Sequence, residues 1–157
     1  MFKKVLMIGV LLSGTAVTPA FAQFLNPPAT SFSASGSVQF TKDDPSISLT
    51  CNLTLTGTTG AAITGTTKTA TATISGGTNT GDGCDDLTVD GGTVSYDSVA
   101  GDWMLTPTVV RNSGTPICGG VVHFTVNSGF IIFNSPIAPD CHATGVLTTT
   151  PTISEVP

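Results

Sequence analysis

The chain has 157 residues and a mass of 15.8 kDa, of which 39% are hydrophobic and only 10% charged. This length suits one ordinary domain and excludes a large multidomain enzyme. After residue 22, three cations face all ten acidic residues, a net charge of −7. Such an acidic surface argues against nucleic acid as a partner.

The first 22 residues have the features of a cleaved secretory signal peptide. Lys3 and Lys4 precede an apolar run over residues 5–17, and Ala20 and Ala22 occupy the two positions that a signal peptidase reads. The alternative is a membrane anchor, but the run is shorter than the roughly 20 residues that span a bilayer. We therefore predict a signal peptide over residues 1–22 and an exported product without a transmembrane segment, secreted or periplasmic.

Four cysteines follow the predicted signal peptide. An even number of cysteines in an exported chain predicts two disulfides, formed by Cys51, Cys84, Cys118 and Cys141. No C-x-x-C motif is present, which argues against a redox pair or a zinc site. Three pairings can be drawn. We favour Cys51 with Cys84 and Cys118 with Cys141, because each bridge would then join neighbouring strands without interlocked loops.

The exported part has the composition of β-structure and turns. Thr, Ser and Gly make up 55 of the 135 residues after Ala22, which is unfavourable for helices. Apolar residues recur at every second position, a pattern that a disordered linker has no reason to show. We therefore predict an all-β protein with essentially no helix.

The predicted elements begin with an extended N-terminal arm over residues 23–31, which contains Pro27 and Pro28. Strands follow at residues 32–40 and 47–56. In the second of these strands, strict alternation of apolar and polar residues directs Cys51 into the core. Another strand covers residues 70–74. Strands 87–89 and 93–96 flank Asp90, Gly91 and Gly92, a sequence that predicts a tight hairpin.

Five more strands complete the set, with prolines between them. They cover residues 103–106, 108–111, 118–126, 129–133 and 145–153, and the separating residues are Pro107, Pro116, Pro136 and Pro139. About nine short strands at this spacing predict an antiparallel β-sandwich or a barrel-like sandwich. We assign residues 32–157 to a single β domain.

The sequence offers little that could carry out catalysis. Only His123 and His142 could serve as general bases near neutral pH, no G-x-S-x-G motif is present, and the cysteines are assigned to bridges. A Ser-His-Asp group assembled across strands is the remaining alternative. We predict no catalytic residue, no cofactor and a non-enzymatic role.

An acidic segment offers oxygen ligands of the kind that calcium prefers. Asp82, Asp85, Asp86 and Asp90 lie in a stretch that also contains glycine, but without the spacing of a known calcium loop. We expect a solvated acidic turn and no metal site. A calcium-dependent adhesion module is the alternative.

The run Phe130, Ile131, Ile132 and Phe133 is the longest uninterrupted apolar stretch outside the leader. If one face of this strand were open to water, it would expose either Phe130 and Ile132 or Ile131 and Phe133. One interpretation is a strand covered on both sides. The other is an exposed apolar patch that binds a lipid, a hydrocarbon or another subunit.

The order of several motifs resembles the PraB-type activators of alkane oxidation, a family of small exported bacterial proteins. The motifs are Phe32-Ser33-Ala34-Ser35-Gly36, Cys51, Gly83-Cys84, Trp103, Cys118-Gly119-Gly120-Val121, Cys141 and Gly145-Val146-Leu147. The resemblance covers nearly all of the exported part. It implies a non-enzymatic role in presenting or emulsifying hydrocarbon at the cell surface, and it supplies no catalytic motif.

Two functional hypotheses follow. In the first, a secreted β protein adsorbs to a hydrocarbon or another apolar surface and assists emulsification, uptake or oxidation, while Thr, Ser and Asp keep it wet. In the second, the protein is a structural or adhesive subunit of a surface filament or biofilm matrix. It would then self-associate by strand exchange, with the arm 23–31 of one copy completing the sheet of the next.

Overall fold

Ten β-strands make up the computed structural model, which describes residues 23–157 and contains no helix within that range. The predicted signal peptide lies outside the described residues. The strands are β1 Phe24–Asn26, β2 Ser31–Lys42, β3 Ile47–Thr59, β4 Thr71–Thr80, β5 Leu87–Asp97, β6 Asp102–Asn112, β7 Thr115–Asn127, β8 Phe130–Ile137, β9 Cys141–Thr150 and β10 Ser154–Val156.

Eight of these strands form a closed barrel. Strands β2 to β9 each pair antiparallel with the next strand along the chain, and β9 pairs with β2 to close the wall. Strands β1 and β10 form a separate two-stranded sheet. The predicted all-β class is confirmed, as are the two disulfides, and the architecture is the barrel rather than an open sandwich. Closure gives each of these eight strands a neighbour on both sides.

The alternation of residue types explains which side chains fill the barrel. In β3, Cys51, Leu53 and Leu55 are buried, whereas the polar residues between them are exposed. Successive side chains of a strand point to opposite faces, so one face of every strand contributes to a single interior core. The threonine-rich face of the same strand meets water.

The predicted hairpin at Asp90, Gly91 and Gly92 is wrong, because β5 runs through these residues without a turn. A side-chain carbon on Gly91 would lie 2.1 Å from the Ile74 carbonyl oxygen, and one on Gly92 would lie 2.3 Å from the Pro107 carbonyl oxygen. The two glycines therefore allow the neighbouring strands β4 and β6 to approach closely. Glycine within a strand serves this purpose as well as a turn.

We expect Gly91→Ala to lower the free energy of unfolding by about 1–3 kcal/mol, because the added methyl group would force the β4 backbone away. Urea denaturation followed by tryptophan fluorescence measures this change. Thr93→Ala, on an exposed position of the same strand, is the matched control and should change stability by less than about 0.5 kcal/mol. Equal effects of the two substitutions would contradict the close-approach explanation.

Three prolines that were expected to separate strands lie inside them instead. Pro107 lies in β6 where the register with β7 shifts between Leu105 and Thr108. Pro116 and Pro136 lie within β7 and β8, and only Pro139 falls between two strands. Proline has no N–H to donate, so it is tolerated within a sheet where the regular ladder is interrupted.

The predicted N-terminal arm contains β1 and is held against its own chain. Phe24 pairs with Val156 and Asn26 with Ser154. Leu25 is buried, and its backbone N–H and C=O both bond to Thr69, at 2.8 and 3.0 Å. The segment expected as an extended arm is thus paired within the same molecule.

Within residues 23–157, the structure shows no helix that could span a membrane.

Candidate functional site

One end of the barrel carries both disulfides. Cys51 of β3 is bonded to Cys84, in the turn after β4, and Cys118 of β7 to Cys141, the first residue of β9. This is the pairing favoured by the sequence. All four residues are buried, and the structure records no free cysteine in the described range. Two such bridges are consistent with an oxidising compartment.

The opposite end of the barrel is closed around Trp103. This side chain is fully buried, and its indole Nε1–H donates a hydrogen bond to Glu155 Oε2 at 2.9 Å. The Tyr96 ring packs edge-on against it, with centroids 5.4 Å apart. Because Glu155 belongs to β10, the bond joins the barrel wall to the small sheet.

A cavity of about 90 Å³ lies inside the barrel between these two ends. All eight barrel strands contribute to its lining, which is apolar except for Asn79 and Thr108. Both polar side chains are already bonded to backbone: Asn79 Nδ2 donates to the Leu87 oxygen at 3.1 Å, and Thr108 Oγ1 to the Leu105 oxygen at 3.2 Å. The sequence did not predict this cavity.

The apolar run of β8 is divided between the two faces of the barrel wall. Ile131 and Phe133 point into the interior and are buried. Phe130 and Ile132 point outward and are 46% and 42% exposed. Ile132 pairs with Val146 of β9, which is 48% exposed. We call Phe130, Ile132 and Val146 the exterior patch.

The seam between β7 and β8 is the least regular part of the barrel wall. Ladder pairs extend only from Asn127–Phe130 to Phe124–Phe133, although β8 pairs with β9 along its whole length. Residues 120–123 and 134–137 form no ladder pairs with each other. The Gly119 N–H then bonds to the Ala138 oxygen at 2.7 Å and closes the seam at its far end. We call the unpaired stretch the β7–β8 window.

Two side chains explain this window. Pro136 has no N–H to offer β7. Ser135 is buried, and its Oγ accepts the His123 backbone N–H at 3.1 Å and donates to the Pro136 oxygen at 3.2 Å. A side chain therefore replaces a backbone partner at this point.

The same contacts bear on the histidines considered as general bases. His123 Nδ1 lies 3.0 Å from Asp102 Oδ1, but Ser135 contacts the backbone of His123 and not its ring. His142 Nδ1 lies 3.3 Å from Thr144 Oγ1. In the described residues, Ser135, His123 and Asp102 are thus adjacent without the nucleophile-to-base hydrogen bond of a catalytic triad.

The four aspartates considered for calcium do not converge on one point. Asp82, Asp85 and Asp86 are exposed, whereas Asp90 is bound by Arg111, whose Nε lies 2.8 Å from Asp90 Oδ2. The hydrogen bond from Arg111 lowers the pKa of Asp90. Within residues 23–157, three possible ligand atoms that lie within 4.8 Å of one another belong instead to Cys118, Asp140 and Cys141. Its two cysteines are joined in a disulfide.

A second ion pair lies beside the β7–β8 window. Lys42 Nζ lies 2.6 Å from Asp140 Oδ2, which also accepts the Asp44 backbone N–H at 2.9 Å. These contacts, the one from Lys42 first, lower the pKa of Asp140. The pair ties the end of β2 to the turn between β8 and β9.

The sequence indicated some of these residues and missed others. The alternation in β8 gave two choices of outward face, and packing selected Phe130 and Ile132. Val146 was quoted only as part of a motif, although its place opposite Ile132 completes the exterior patch. The link between Trp103 and Glu155 spans 52 residues, and no local pattern signals it.

Neither the curated proteins nor the solved structures contain a significant match to this chain. A family model, in contrast, matches the whole of it and agrees with the resemblance found in the motifs. The chain belongs to the alkane oxidation protein activator PraA/PraB-like family, whose model matches residues 1–157.

Proposed function

We propose that this chain is an exported, non-enzymatic protein that adsorbs to hydrocarbon through the exterior patch and thereby assists its emulsification, uptake or oxidation. The family description supplies the link to alkane oxidation. The observation that carries the adsorption step is the position of Phe130, Ile132 and Val146, which lie side by side and outward on two paired strands.

The physical basis is the removal of apolar surface from water. Each square ångström of apolar surface covered by oil contributes about 25 cal/mol. The surrounding exterior positions of β8 and β9 are mostly polar, including Asn134, Thr144 and Thr148. A molecule with an apolar patch on a largely polar, acidic surface would orient that patch toward the oil and keep the polar surface in water.

Other features support the exported and non-enzymatic parts of the proposal. The leader has the pattern of a signal peptide, and two disulfides suit an oxidising compartment. The hydroxyl of Ser135 donates to a backbone oxygen rather than to the His123 ring. These observations favour a protein that acts by binding.

The filament hypothesis receives less support. Strand exchange needs a free donor strand and an open sheet edge. In this molecule β1 pairs with β10 of the same chain, and the strands of the barrel are closed on themselves. Light scattering across protein concentrations in the absence of oil tests this alternative, because strand-exchanged polymers would grow with concentration.

Replacing Phe130 with Ser and Ile132 with Thr should weaken adsorption to hexadecane droplets by about 30-fold, since two half-exposed side chains together contribute about 2 kcal/mol. Droplet-binding isotherms and emulsion stability measure the effect. The matched control replaces Val99 with Ser and Ile63 with Thr, two exposed apolar residues outside the patch. Adsorption no stronger than that of an inert protein, or equal losses in both double variants, would overturn the proposal.

A further inference from the structure

We infer that the barrel interior is a binding site for a single unbranched hydrocarbon chain, which reaches it through the β7–β8 window. This site differs from the exterior patch in its residues and in its stoichiometry. The 90 Å³ cavity lies in this interior, and every barrel strand contributes to its lining. Binding of a chain there does not depend on adsorption to an oil surface.

The lining determines the chemical class of the ligand. Asn79 and Thr108, the two polar side chains of the cavity, already donate to backbone oxygens. No buried side-chain nitrogen or oxygen among the described residues lacks a hydrogen-bond partner. A polar ligand would therefore lose its hydrogen bonds with water and gain none, whereas an alkyl chain loses nothing of this kind.

The size of the cavity limits how much of a ligand it can hold. An apolar cavity of about 150 Å³ accommodates a benzene ring, and this cavity is smaller, at about 90 Å³. It therefore has too little room for a ring and can hold a few carbon atoms of a chain. Only part of a long chain would fit, so the remainder would have to leave through the barrel wall.

The β7–β8 window provides the route through the wall. On its outer side lies a depression of about 650 Å³, lined in part by Gly120, Val121 and Pro136. Ile137 lines both this depression and the interior cavity. Residues 120–123 and 134–137 form no ladder pairs, so the wall can open here without breaking a regular set of backbone bonds.

The two ends of the barrel are less suitable routes into the cavity. Trp103, bonded to Glu155 and packed on Tyr96, closes one end of the barrel. The two disulfides hold the strands and turn at the other end. The window, whose facing residues form no ladder pairs, is thus the most suitable route.

The test uses purified, oxidised protein with dodecane and, in a separate arm, laurate. Native mass spectrometry after gel filtration should show one chain per protein. If only dodecane binds, the site is assigned to free hydrocarbon. If only laurate binds, the site is assigned to the acyl chain of a lipid. Binding of both would mean that the chain is recognised whatever its end group. Absence of both from the wild-type protein would overturn the inference.

Two substitutions test whether the ligand lies inside the barrel. Ala143→Leu puts three more carbon atoms into the cavity and should weaken binding by about 50-fold. Val122→Phe fills the cavity from another strand and serves as the second variant if the first does not fold. The Phe130→Ser/Ile132→Thr protein should still bind one chain. Binding lost in this patch variant but kept in the folded cavity variants would overturn the interior site.

Pro136→Thr tests the route, because it restores the N–H that the window lacks. Stopped-flow measurement of chain uptake should become about five-fold slower, while the equilibrium affinity stays unchanged. Thr125→Ser, on the paired part of the same seam, is the control and should leave the rate unaltered. An unchanged uptake rate in Pro136→Thr would exclude the β7–β8 window as the route. If the protein failed to adsorb to hexadecane droplets, the measurements of chain binding and chain uptake could still be interpreted.

Discussion

Removing the Cys51–Cys84 bridge, by replacing both residues with alanine, should lower the free energy of unfolding by about 3.7 kcal/mol. The bridge closes a segment with a sequence separation of 33. Cross-linking a chain over that separation lowers the conformational entropy of the unfolded state, and at 25 °C this loss of entropy corresponds to the stated free energy. Urea denaturation of the oxidised wild-type protein and the variant measures the difference.

The Cys118–Cys141 bridge offers a matched control. Its separation of 23 predicts a smaller loss, about 3.4 kcal/mol, when both residues become alanine. Removal of the two bridges together should leave little of the stability typical of a domain this size. A loss below about 1 kcal/mol in either variant would contradict the view that the bridges stabilise the barrel by restricting the unfolded chain.

Trp103→Ala should lower the free energy of unfolding by about 3–5 kcal/mol, the range found when a large aromatic side chain is removed from a core. The indole is fully buried, packs against Tyr96 and bonds to Glu155. Its removal would leave a void at the end of the barrel and detach β10 from the wall. Urea denaturation followed by circular dichroism measures the loss without relying on tryptophan fluorescence.

Two substitutions at Glu155 separate the hydrogen bond from the packing. Glu155→Gln keeps a side-chain oxygen that can accept the Trp103 Nε1–H and should have a small effect. Glu155→Leu leaves that buried donor without a partner and should lower stability by about 1–3 kcal/mol. Equal stabilities of the Gln and Leu variants would show that the bond to β10 contributes nothing.

The fold gives the two proposed sites different roles. The exterior patch lies on β8 and β9 and would hold the protein at an oil surface. The interior cavity is reached from the neighbouring seam, between β7 and β8. Since β8 contributes to both, its inward and outward residues can be changed separately. The patch and cavity variants can therefore distinguish adsorption from the binding of one chain.

Local sequence patterns predicted the class of fold because strand formation depends on near neighbours. The alternation around Cys51 placed that residue inside, and the composition predicted strands without helices. The same patterns failed at Gly91 and Pro107, where the local signal for a turn is overridden by the approach of a neighbouring strand. A glycine in a turn and a glycine in a close crossing look alike in sequence.

The sequence by itself determined the class of secondary structure and the alternation of side chains between two faces of each strand. It also favoured one of three cysteine pairings and indicated the family by resemblance. Only the tertiary structure decided that β9 returns to β2 and closes the barrel. It also decided that Phe130 and Ile132 face water, that a cavity remains inside and that the seam beside Pro136 is unpaired. The physical reason is the range of the interactions. Alternation is set by adjacent residues, whereas closure, cavity and seam depend on how residues distant in the chain pair and fill one shared interior.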